Sequence, residues 1–210
     1  MAPAVELAAC SKRFGERIAL RRVSFGVPAG TSTALMGANG SGKSTALRIV
    51  AGLVRPTAGT ALVGGIAAVE LDRASRGTIG YLGHRALAYR GLTAAENLTL
   101  FARLYRRPPE GVGAALAEVG LADRADDRID GFSRGMLQRL SLARILVTQP
   151  GLLLLDEPAT GLDNEGAALL DDVLARLRGS VTVLAATHDE EFAARHADAV
   201  VRLAHGEVVA

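Results

Sequence analysis

The sequence contains one cysteine and no tryptophan in 210 residues, and aromatic residues make up only 4% of it. A single thiol cannot form an intrachain disulfide, so a disulfide-stabilised scaffold is excluded and a reducing compartment is expected. Lys and Arg number 24 against 22 Asp and Glu, which leaves a net charge of +2, and the basic residues form no stripe. The charge pattern therefore predicts no nucleic-acid partner.

Long apolar runs are also missing. No stretch approaches the roughly 20 consecutive apolar residues that cross a bilayer, and the apolar segment "GLLLL" (151–155) ends at two carboxylates. The amino terminus has no basic segment followed by an apolar core, so no secretory signal is expected. These features predict a soluble, cytoplasmic protein, unless partners hold it at a membrane.

Strand and helix patterns alternate in the first third of the chain. With 49% hydrophobic residues the sequence can bury a substantial core, and its length favours one domain over residues 1–210. Strands are predicted at "VSFGV" (23–27) and "TSTALM" (31–36), and a second strand pair at "TALVGG" and "TIGYL". A helix is predicted over "KSTALRIVAGL", with Leu47, Val50 and Leu53 on one face, ending before Pro56.

From about residue 86 to 148 the pattern changes to helices. Thr93 and Glu96 stand at the spacing of a capping box before an apolar-periodic segment. Further helices are predicted over "GAALAEV" and after Ser133. Beyond Pro150 strands and helices alternate again. The sequence therefore predicts an α/β frame with a helical subdomain inserted over residues 86–148.

The segment "GANGSGKST" (37–45) fits the P-loop pattern and lies between a predicted strand and a predicted helix, as that motif requires. Its glycines turn backbone N–H groups toward phosphate oxygens, and the helix N-terminus adds its positive dipole end. Lys43 is expected to reach the β- and γ-phosphates, and Ser44 to ligate Mg²⁺. The predicted phosphate-binding residues are Gly37, Asn39, Gly40, Ser41, Gly42, Lys43, Ser44 and Thr45.

Two carboxylates follow the apolar run "LLLL" and supply what a P-loop still needs. Asp156 can hold the Mg²⁺ shell, and Glu157 can orient or deprotonate an attacking water. Two ionised groups at the end of an apolar strand are costly without a cation or hydrogen-bond donors nearby, although many strand ends simply emerge into solvent. Beside a P-loop, the catalytic interpretation is favoured.

A second helix N-terminus able to receive an anion is indicated by "FSRGMLQRLSLAR" (132–144), where Ser133 and Gly135 precede an amphipathic helix. Alone, Ser133 would be an ordinary N-cap. One chain does not ordinarily need two such sites for a single nucleotide. Together with the P-loop and the carboxylates, this segment resembles the signature of ATP-binding cassette (ABC) subunits, and the resemblance extends over essentially the whole chain.

The resemblance implies a P-loop NTPase core of the RecA type with an antiparallel β subdomain and a helical subdomain. In that family the second helix N-terminus serves the ATP on the partner subunit, so two subunits close head to tail around two nucleotides. The implied cofactors are ATP and Mg²⁺. The implied partners are a second copy or a homologous ATPase subunit and integral membrane subunits, which would hold the protein on the cytoplasmic face of the inner membrane.

The resemblance also assigns roles to single residues. Phe14 in "SKRFGERIAL" matches the aromatic that stacks on adenine, with a core aromatic as the alternative. Asp163 in "GLD" matches the loop that crosses the dimer seam, and it can also cap a helix. His188 in "AATHDE" matches the switch histidine that senses the γ-phosphate. His196 and His205 match nothing and are expected to be surface residues.

Two segments depart from the family pattern. The signature reads "FSRGM" (132–136) instead of Leu-Ser-Gly-Gly-Gln; Ser133 and Gly135 are retained, and Arg134 is expected to alter how the partner's nucleotide is approached. In "GYLGH", His84 stands where the family commonly has glutamine, and we expect it to act in catalysis by bonding the attacking water or a bridging water. "GYLGH" followed by "LTAAENL" resembles the ATP-binding subunit of the haem exporter of cytochrome c maturation, for which no direct haem binding is expected.

Other functions fit less of the sequence. Within the family, the alternative is the ATPase of a drug, lipid or polysaccharide exporter. A cassette ATPase of DNA repair or translation would need a long coiled coil or two tandem cassettes, which 210 residues do not hold. A nucleoside kinase would leave the anion-binding helix start at Ser133 and the position of His188 unexplained.

Overall fold

The computed structural model describes residues 3–83 and 87–209, which form ten strands and seven α-helices. The strands are β1 (Val5–Phe14), β2 (Arg17–Val27), β3 (Ser32–Met36), β4 (Ala58–Val63), β5 (Ile66–Ala67), β6 (Ile79–Leu82), β7 (Leu152–Asp156), β8 (Thr182–Thr187), β9 (Ala199–Ala204) and β10 (Glu207–Val209). The helices are α1 (Lys43–Val50), α2 (Arg73–Arg76), α3 (Ala94–Leu104), α4 (Val112–Glu118), α5 (Arg134–Thr148), α6 (Asn164–Leu177) and α7 (Glu190–His196).

The larger sheet has the strand order β10-β9-β3-β8-β7-β6. From β9 to β6 the neighbouring strands are parallel, and only β10 runs antiparallel to its neighbour. The carboxyl ends of parallel strands meet at one edge of a sheet, where α/β proteins bind their ligands. The segments that follow β3, β6, β7 and β8 therefore meet at this edge.

Strand β7 lies inside the sheet and is buried on both faces, which is why its sequence is a continuous apolar run. Leu152 and Leu154 pack in the core formed with α1. Leu153 and Leu155 point the other way, into the core formed with α5 and α6. Because side chains alternate along a strand, Asp156 continues the face of Leu154 and is directed toward α1.

The smaller sheet has the order β2-β1-β4-β5 and is antiparallel throughout. Its inward side chains, among them Val5, Leu7 and Val23, share one core with α1. This antiparallel layer and the parallel sheet with its helices confirm the predicted α/β class. Within the described residues 87–148 the regular elements are α3, α4, α5 and three short 3-10 turns. The bounds of the helical subdomain stay a prediction.

Several local predictions are confirmed. Thr93 and Glu96 form the capping box at the start of α3: the Glu96 N–H donates to Thr93 Oγ1 at 3.1 Å, and the Thr93 N–H donates to Glu96 Oε2 at 2.8 Å. Helix α5 follows Ser133, as the sequence predicts. In the described part of the chain, no helix combines the length and the apolar character needed to span a membrane.

Two predictions about the first third of the chain are wrong. Helix α1 ends at Val50, because Gly52 adopts a left-handed φ of 69°, and Leu53 is 67% exposed instead of lying on the apolar face. The strands at "TALVGG" and "TIGYL" do not pair with each other. Strand β4 joins β1 in the antiparallel sheet, whereas the largely buried β6 pairs with β7 in the parallel sheet.

Candidate functional site

The P-loop connects β3 to α1, and two of its glycines are required by close approach of other strands. A Cβ on Gly37 would lie 2.2 Å from the carbonyl oxygen of Leu203. A Cβ on Gly42 would lie 2.6 Å from the Leu20 side chain, and Gly42 has a φ of 111°. Gly42 provides no side-chain cap for α1, so the first N–H groups of the helix are free to bind an anion.

The Lys43 ammonium is enclosed by the P-loop. It donates to the carbonyl oxygens of Gly37 at 2.6 Å and Ala38 at 3.3 Å, and it lies 3.2 Å from Glu157 Oε1. Its side chain is only 5% exposed. Phosphate oxygens can replace these carbonyl and carboxylate acceptors, so the buried ammonium is well placed to bind a phosphate.

Asp156 accepts hydrogen bonds on both of its carboxylate oxygens. The Ser44 hydroxyl donates to Oδ1 at 2.7 Å, and the Tyr81 hydroxyl donates to Oδ2 at 3.0 Å. Burial, with a further contribution from the Asp156 charge, raises the pKa of Tyr81 to about 12, so this hydroxyl stays a donor at neutral pH. The hydroxyl of Ser44 and the carboxylate of Asp156 are hard oxygen donors of the kind that Mg²⁺ prefers, and the pair fits the predicted ion.

Glu157 follows β7 in a left-handed backbone conformation, with a φ of 53°. Non-glycine residues adopt this region at a cost and concentrate at functional sites. Its backbone N–H donates to Ala186 at 2.8 Å, and its Oε2 lies 2.8 Å from His188 Nδ1. The Glu157 carboxylate is buried, whereas the His188 side chain is 55% exposed. The carboxylate is therefore held between Lys43 on one side and His188 on the other.

A cleft of about 380 Å³, called the P-loop cleft below, brings several predicted residues together. It is lined by Phe14, Asn39, Gly40, Glu157 and the first turn of α1. Phe14 lies at the end of β1 and is 48% exposed, so its ring is open for stacking and is not a core aromatic. Lys12 Nζ lies 4.9 Å from the centroid of that ring.

Ser133, Gly135 and Asp163 are not among the residues that line the P-loop cleft within the described chain. Ser133 is exposed and caps α5, its hydroxyl accepting from the Met136 N–H at 3.2 Å. Asp163 caps α6, accepting from the Gly166 N–H at 2.7 Å, which confirms the predicted cap. The N-terminus of α5 is therefore an anion-binding end that the cleft of the same subunit does not use, whereas the Asp163 carboxylate occupies the N-terminus of α6.

A second cavity of about 710 Å³ lies on the other side of Glu157. It is lined by Gly83 after β6, Phe132 and Arg134 at the start of α5, and Asp156 and Glu157 after β7, among others. Arg134 also covers a neighbouring loop, because a Cβ on Gly161 would lie 2.8 Å from its guanidinium. The signature segment and the "GLD" loop are thus in contact within one subunit.

The three histidines other than His188 differ in their outcome. His84 lies outside the described residues, and its role stays a prediction. The prediction that His196 is a surface residue is wrong. Its side chain is 14% exposed, its Nε2 lies 2.7 Å from Asp171 Oδ1, and its ring packs on Phe192. His205 is exposed, as predicted.

Sequence reasoning did not identify Tyr81 or Arg144. Arg144 in α5 is 8% exposed and donates to the carbonyl oxygens of Tyr81 at 2.7 Å and Leu87 at 2.9 Å. Burial lowers the pKa of the Arg144 guanidinium below its usual range. No local sequence signal pointed to Tyr81, because its contact with Asp156 depends on the register of β6 against β7, which places Tyr81 opposite Leu154, two residues before Asp156.

Comparison with known proteins agrees with this geometry. The ABC transporter family model matches residues 20–160. The ABC transporter ATP-binding protein YxlF of Bacillus subtilis is 39% identical over 94% of this chain and 66% of that protein. The daunorubicin resistance ATP-binding protein DrrA3 of Streptomyces coeruleorubidus is 37% identical over 99% of this chain and 67% of that protein. The chain thus spans about two thirds of the length of these relatives.

Among solved structures, the dimeric ATP-binding cassette MJ0796 bound to ADP and Pi is 30% identical, with a TM-score of 0.87 over 98% of this chain and 97% of that chain. This likeness confirms the predicted P-loop NTPase core with its antiparallel and helical parts. The P-loop, the buried carboxylates and the family match lead to one assignment. The chain belongs to the ABC transporter family and carries its ATP-binding, ABC-type ATPase domain.

Proposed function

We propose that this protein is the ATP-hydrolysing subunit of an ABC transporter, which works as a head-to-tail dimer on separate membrane subunits. The observation that carries this proposal is the position of Glu157. Its buried carboxylate lies 3.2 Å from Lys43 and 2.8 Å from His188, beside the Ser44–Asp156 pair. A carboxylate so placed can orient a water next to a phosphate bound by the P-loop.

Each residue then has a defined part. The P-loop N–H groups and Lys43 bind the phosphates of ATP, and Phe14 stacks on the adenine. Ser44 and Asp156 would hold Mg²⁺, which when bound neutralises charge on the phosphates. Glu157 orients the attacking water and accepts its proton. His188 holds the Glu157 carboxylate from the exposed side and senses the terminal phosphate.

The proposal of a dimer rests on Ser133 and Gly135, which do not line the P-loop cleft of their own subunit. Ser133 is exposed and is the N-cap of α5. Helix N-termini bind phosphate groups, so this one is suited to a nucleotide on a second subunit. The similar cassette MJ0796 was solved as a dimer, which supports this arrangement.

Complementation between two inactive variants tests the shared site. Lys43→Ala and Ser133→Arg should each be inactive alone, because each lacks one half of every composite site. Their mixture should recover ATP hydrolysis and ATP-supported dimers, because a mixed dimer has one site with an intact Lys43 and an intact Ser133. The matched control mixes wild type with the Lys43→Ala, Ser133→Arg double variant, whose mixed dimer has no intact site. A mixture of the single variants as inactive as its components would contradict shared sites.

The membrane partners and the location follow from this proposal. An ATPase of a transporter acts on membrane-spanning subunits, and the described part of this chain has no helix that could span a bilayer. We therefore place the protein on the cytoplasmic face of the inner membrane, bound to those subunits. ATP hydrolysis that rises when membrane subunits are added back in vesicles would support this location.

For the transported substrate, haem export in cytochrome c maturation is the candidate that the sequence favours. It rests on His84 in "GYLGH" and on "LTAAENL" downstream. A second candidate is drug export, favoured by the relative DrrA3, whose name concerns daunorubicin resistance. Export of a lipid or a polysaccharide belongs to the same class of alternatives.

Isolation of the native complex distinguishes these candidates. The tagged chain is purified from membranes with its partners, which are identified by mass, and the complex is examined for haem absorbance. Haem absorbance that stays with the membrane subunits and is released on ATP addition would support haem export. A complex without haem, whose membrane subunits are needed for cellular drug resistance, would support the second candidate.

A further inference from the structure

Tyr81 connects two parts of the molecule through two different atoms. Its hydroxyl donates to Asp156 Oδ2 at 3.0 Å, so the side chain restrains the carboxylate proposed to hold Mg²⁺. Its carbonyl oxygen accepts from Arg144 Nη2 at 2.7 Å, so the backbone is attached to α5. One residue thus connects the Ser44–Asp156 pair to helix α5.

The attachment to α5 is firm because Arg144 is buried and holds two carbonyls at once. Its Nη1 donates to Leu87 at 2.9 Å, and its guanidinium lies 4.9 Å from the centroid of the Phe101 ring. Arg144 thus attaches α5 both to strand β6 and to the chain at residue 87 through one planar group.

The strand that carries Tyr81 is suited to transmit a movement of α5. Strand β6 is the last strand of the larger sheet, and among the described residues β7 is the one strand that pairs with it. Two of its carbonyl oxygens also accept hydrogen bonds from the side chains of Tyr105 and Arg144. An edge strand is held by one ladder of backbone hydrogen bonds instead of two, so a displacement of Arg144 acts on β6 against the backbone pairing with β7 alone. The Tyr81 hydroxyl would move with it, and the Asp156 carboxylate would change its orientation.

We infer that Tyr81 is a positioning residue that couples the orientation of the metal-side carboxylate Asp156 to the position of α5. The inference rests on the proposed function, because it assigns a role in the same site. The affinity for Mg²⁺ then depends on the hydrogen bond between Tyr81 and Arg144 of α5, the helix whose N-terminus is proposed to bind the partner's nucleotide. The Tyr81 hydroxyl acts only through Asp156.

The test measures how nucleotide binding depends on Mg²⁺. A fluorescent ATP analogue is titrated into the full chain at a series of Mg²⁺ concentrations and, separately, with EDTA. Tyr81→Phe keeps the packed ring and removes the hydroxyl. We expect the Mg²⁺ concentration for half-maximal nucleotide binding to rise about 10-fold, the size typical of losing a group that orients a metal ligand. Nucleotide affinity in EDTA should stay the same, because the P-loop is unchanged.

Tyr105→Phe is the matched control. The Tyr105 hydroxyl donates to the carbonyl of Ile79 at 2.8 Å, in the same strand β6, but it does not contact Asp156. This variant loses one hydrogen bond from a tyrosine hydroxyl to β6 and should show the Mg²⁺ dependence of the wild type. A shift of equal size in Tyr105→Phe would mean that loosening β6 is sufficient and would overturn the specific role of Tyr81.

A second variant tests the attachment to α5. Arg144→Lys keeps the positive charge but cannot donate to two carbonyls from one planar group. It should raise the required Mg²⁺ concentration in the same direction, and the double variant with Tyr81→Phe should add little. Additive effects, or no Mg²⁺ shift in Tyr81→Phe, would overturn the inference while leaving the proposed function intact. A wild-type chain without Mg²⁺-dependent nucleotide binding would instead contradict the proposed function itself.

Discussion

Lys43 and Glu157 form a buried ion pair across the P-loop cleft. Lys43 Nζ lies 3.2 Å from Glu157 Oε1, and the two side chains are 5% and 8% exposed. The ammonium that is expected to bind the phosphates is therefore paired with the carboxylate that is expected to activate water. Nucleotide binding has to rearrange this pair, because phosphate oxygens and Glu157 compete for the same donor.

The first prediction concerns this competition. Glu157→Gln removes the negative charge near Lys43, so ATP should bind more tightly, while turnover should fall by a factor of about 10² or more because the general base is lost. Nucleotide affinity and ATP hydrolysis are measured on the same preparation, and size-exclusion chromatography with ATP should show a trapped dimer. Glu165→Gln, a change at an exposed glutamate in α6, is the control and should leave all three unchanged. A strictly monomeric Glu157→Gln protein would weaken both the dimer and the assignment of the base.

The second prediction concerns Gly161, whose φ is 77°. Gly161→Ala should lower the free energy of unfolding by about 1–2 kcal/mol, because alanine is strained in this conformation. It should also push Arg134 away, since the new Cβ would lie 2.8 Å from the guanidinium. The stability loss should persist in an Arg134→Ala background, because the backbone strain remains. Urea denaturation measures the free energy of unfolding of Gly161→Ala in the wild-type and the Arg134→Ala backgrounds. Gly131→Ala, where a Cβ meets open space, serves as control.

The third prediction concerns the end of α5. Gln149 caps this helix in a left-handed conformation, with φ 44° and ψ 63°, and it is exposed. Glycine adopts this conformation without the penalty of a Cβ. Gln149→Gly should therefore raise the free energy of unfolding by about 1 kcal/mol. Arg103→Gly, within α3, should lower it by a similar amount, and equal signs for the two changes would contradict the explanation.

The fourth prediction concerns Cys10, which is fully buried and whose thiol pKa is raised by burial to about 11. In the unfolded chain a thiol titrates near pH ~8.5. The folded state thus binds this proton more tightly, so its contribution to stability is complete below about pH 8.5 and is lost as pH rises toward about 11. Between pH 8 and 10 the wild type should lose on the order of 1–2 kcal/mol more stability than Cys10→Ala.

The matched comparison keeps the other alkaline titrations constant. Tyr81 and Tyr105 also have raised pKa values because of burial, and both are present in each protein. Their contributions cancel when the change in stability with pH is compared between the wild type and Cys10→Ala. Identical slopes in the two proteins would show that Cys10 does not ionise in this range. The thiol of the native protein should also react with a thiol reagent only as fast as the protein unfolds.

The fifth prediction concerns His84, which is assigned from the sequence alone. A neutral ring is needed to accept a hydrogen bond from water, and an unperturbed imidazole titrates near pH ~6.5. Acidification should therefore protonate His84 and lower ATP turnover, in addition to any loss from His188. His84→Gln should remove only the first effect in the reconstituted complex at saturating nucleotide. Superimposable acid limbs for the two proteins would mean that His84 has no protonation-dependent role.

The sequence by itself determined the parts that are contiguous. A P-loop is recognisable because Gly42, Lys43 and Ser44 perform their roles within a few residues of one another, at the junction of a strand and a helix. The helix caps at Thr93 and Asp163 were predictable for the same reason, since a cap bonds to a backbone group two or three residues further on. The apolar run before Asp156 likewise specified a strand buried on both faces.

Only the tertiary structure decided which distant residues meet. The hydrogen bond from Tyr81 to Asp156 joins residues 75 apart, and the hydrogen bond from Arg144 to Tyr81 joins residues 63 apart. The position of β6 beside β7, instead of beside β4, had to be established before either contact could be seen. Apolar alternation states which face of a strand is buried, but it does not state which strand lies next to it or in what register, because those depend on packing of the whole sheet.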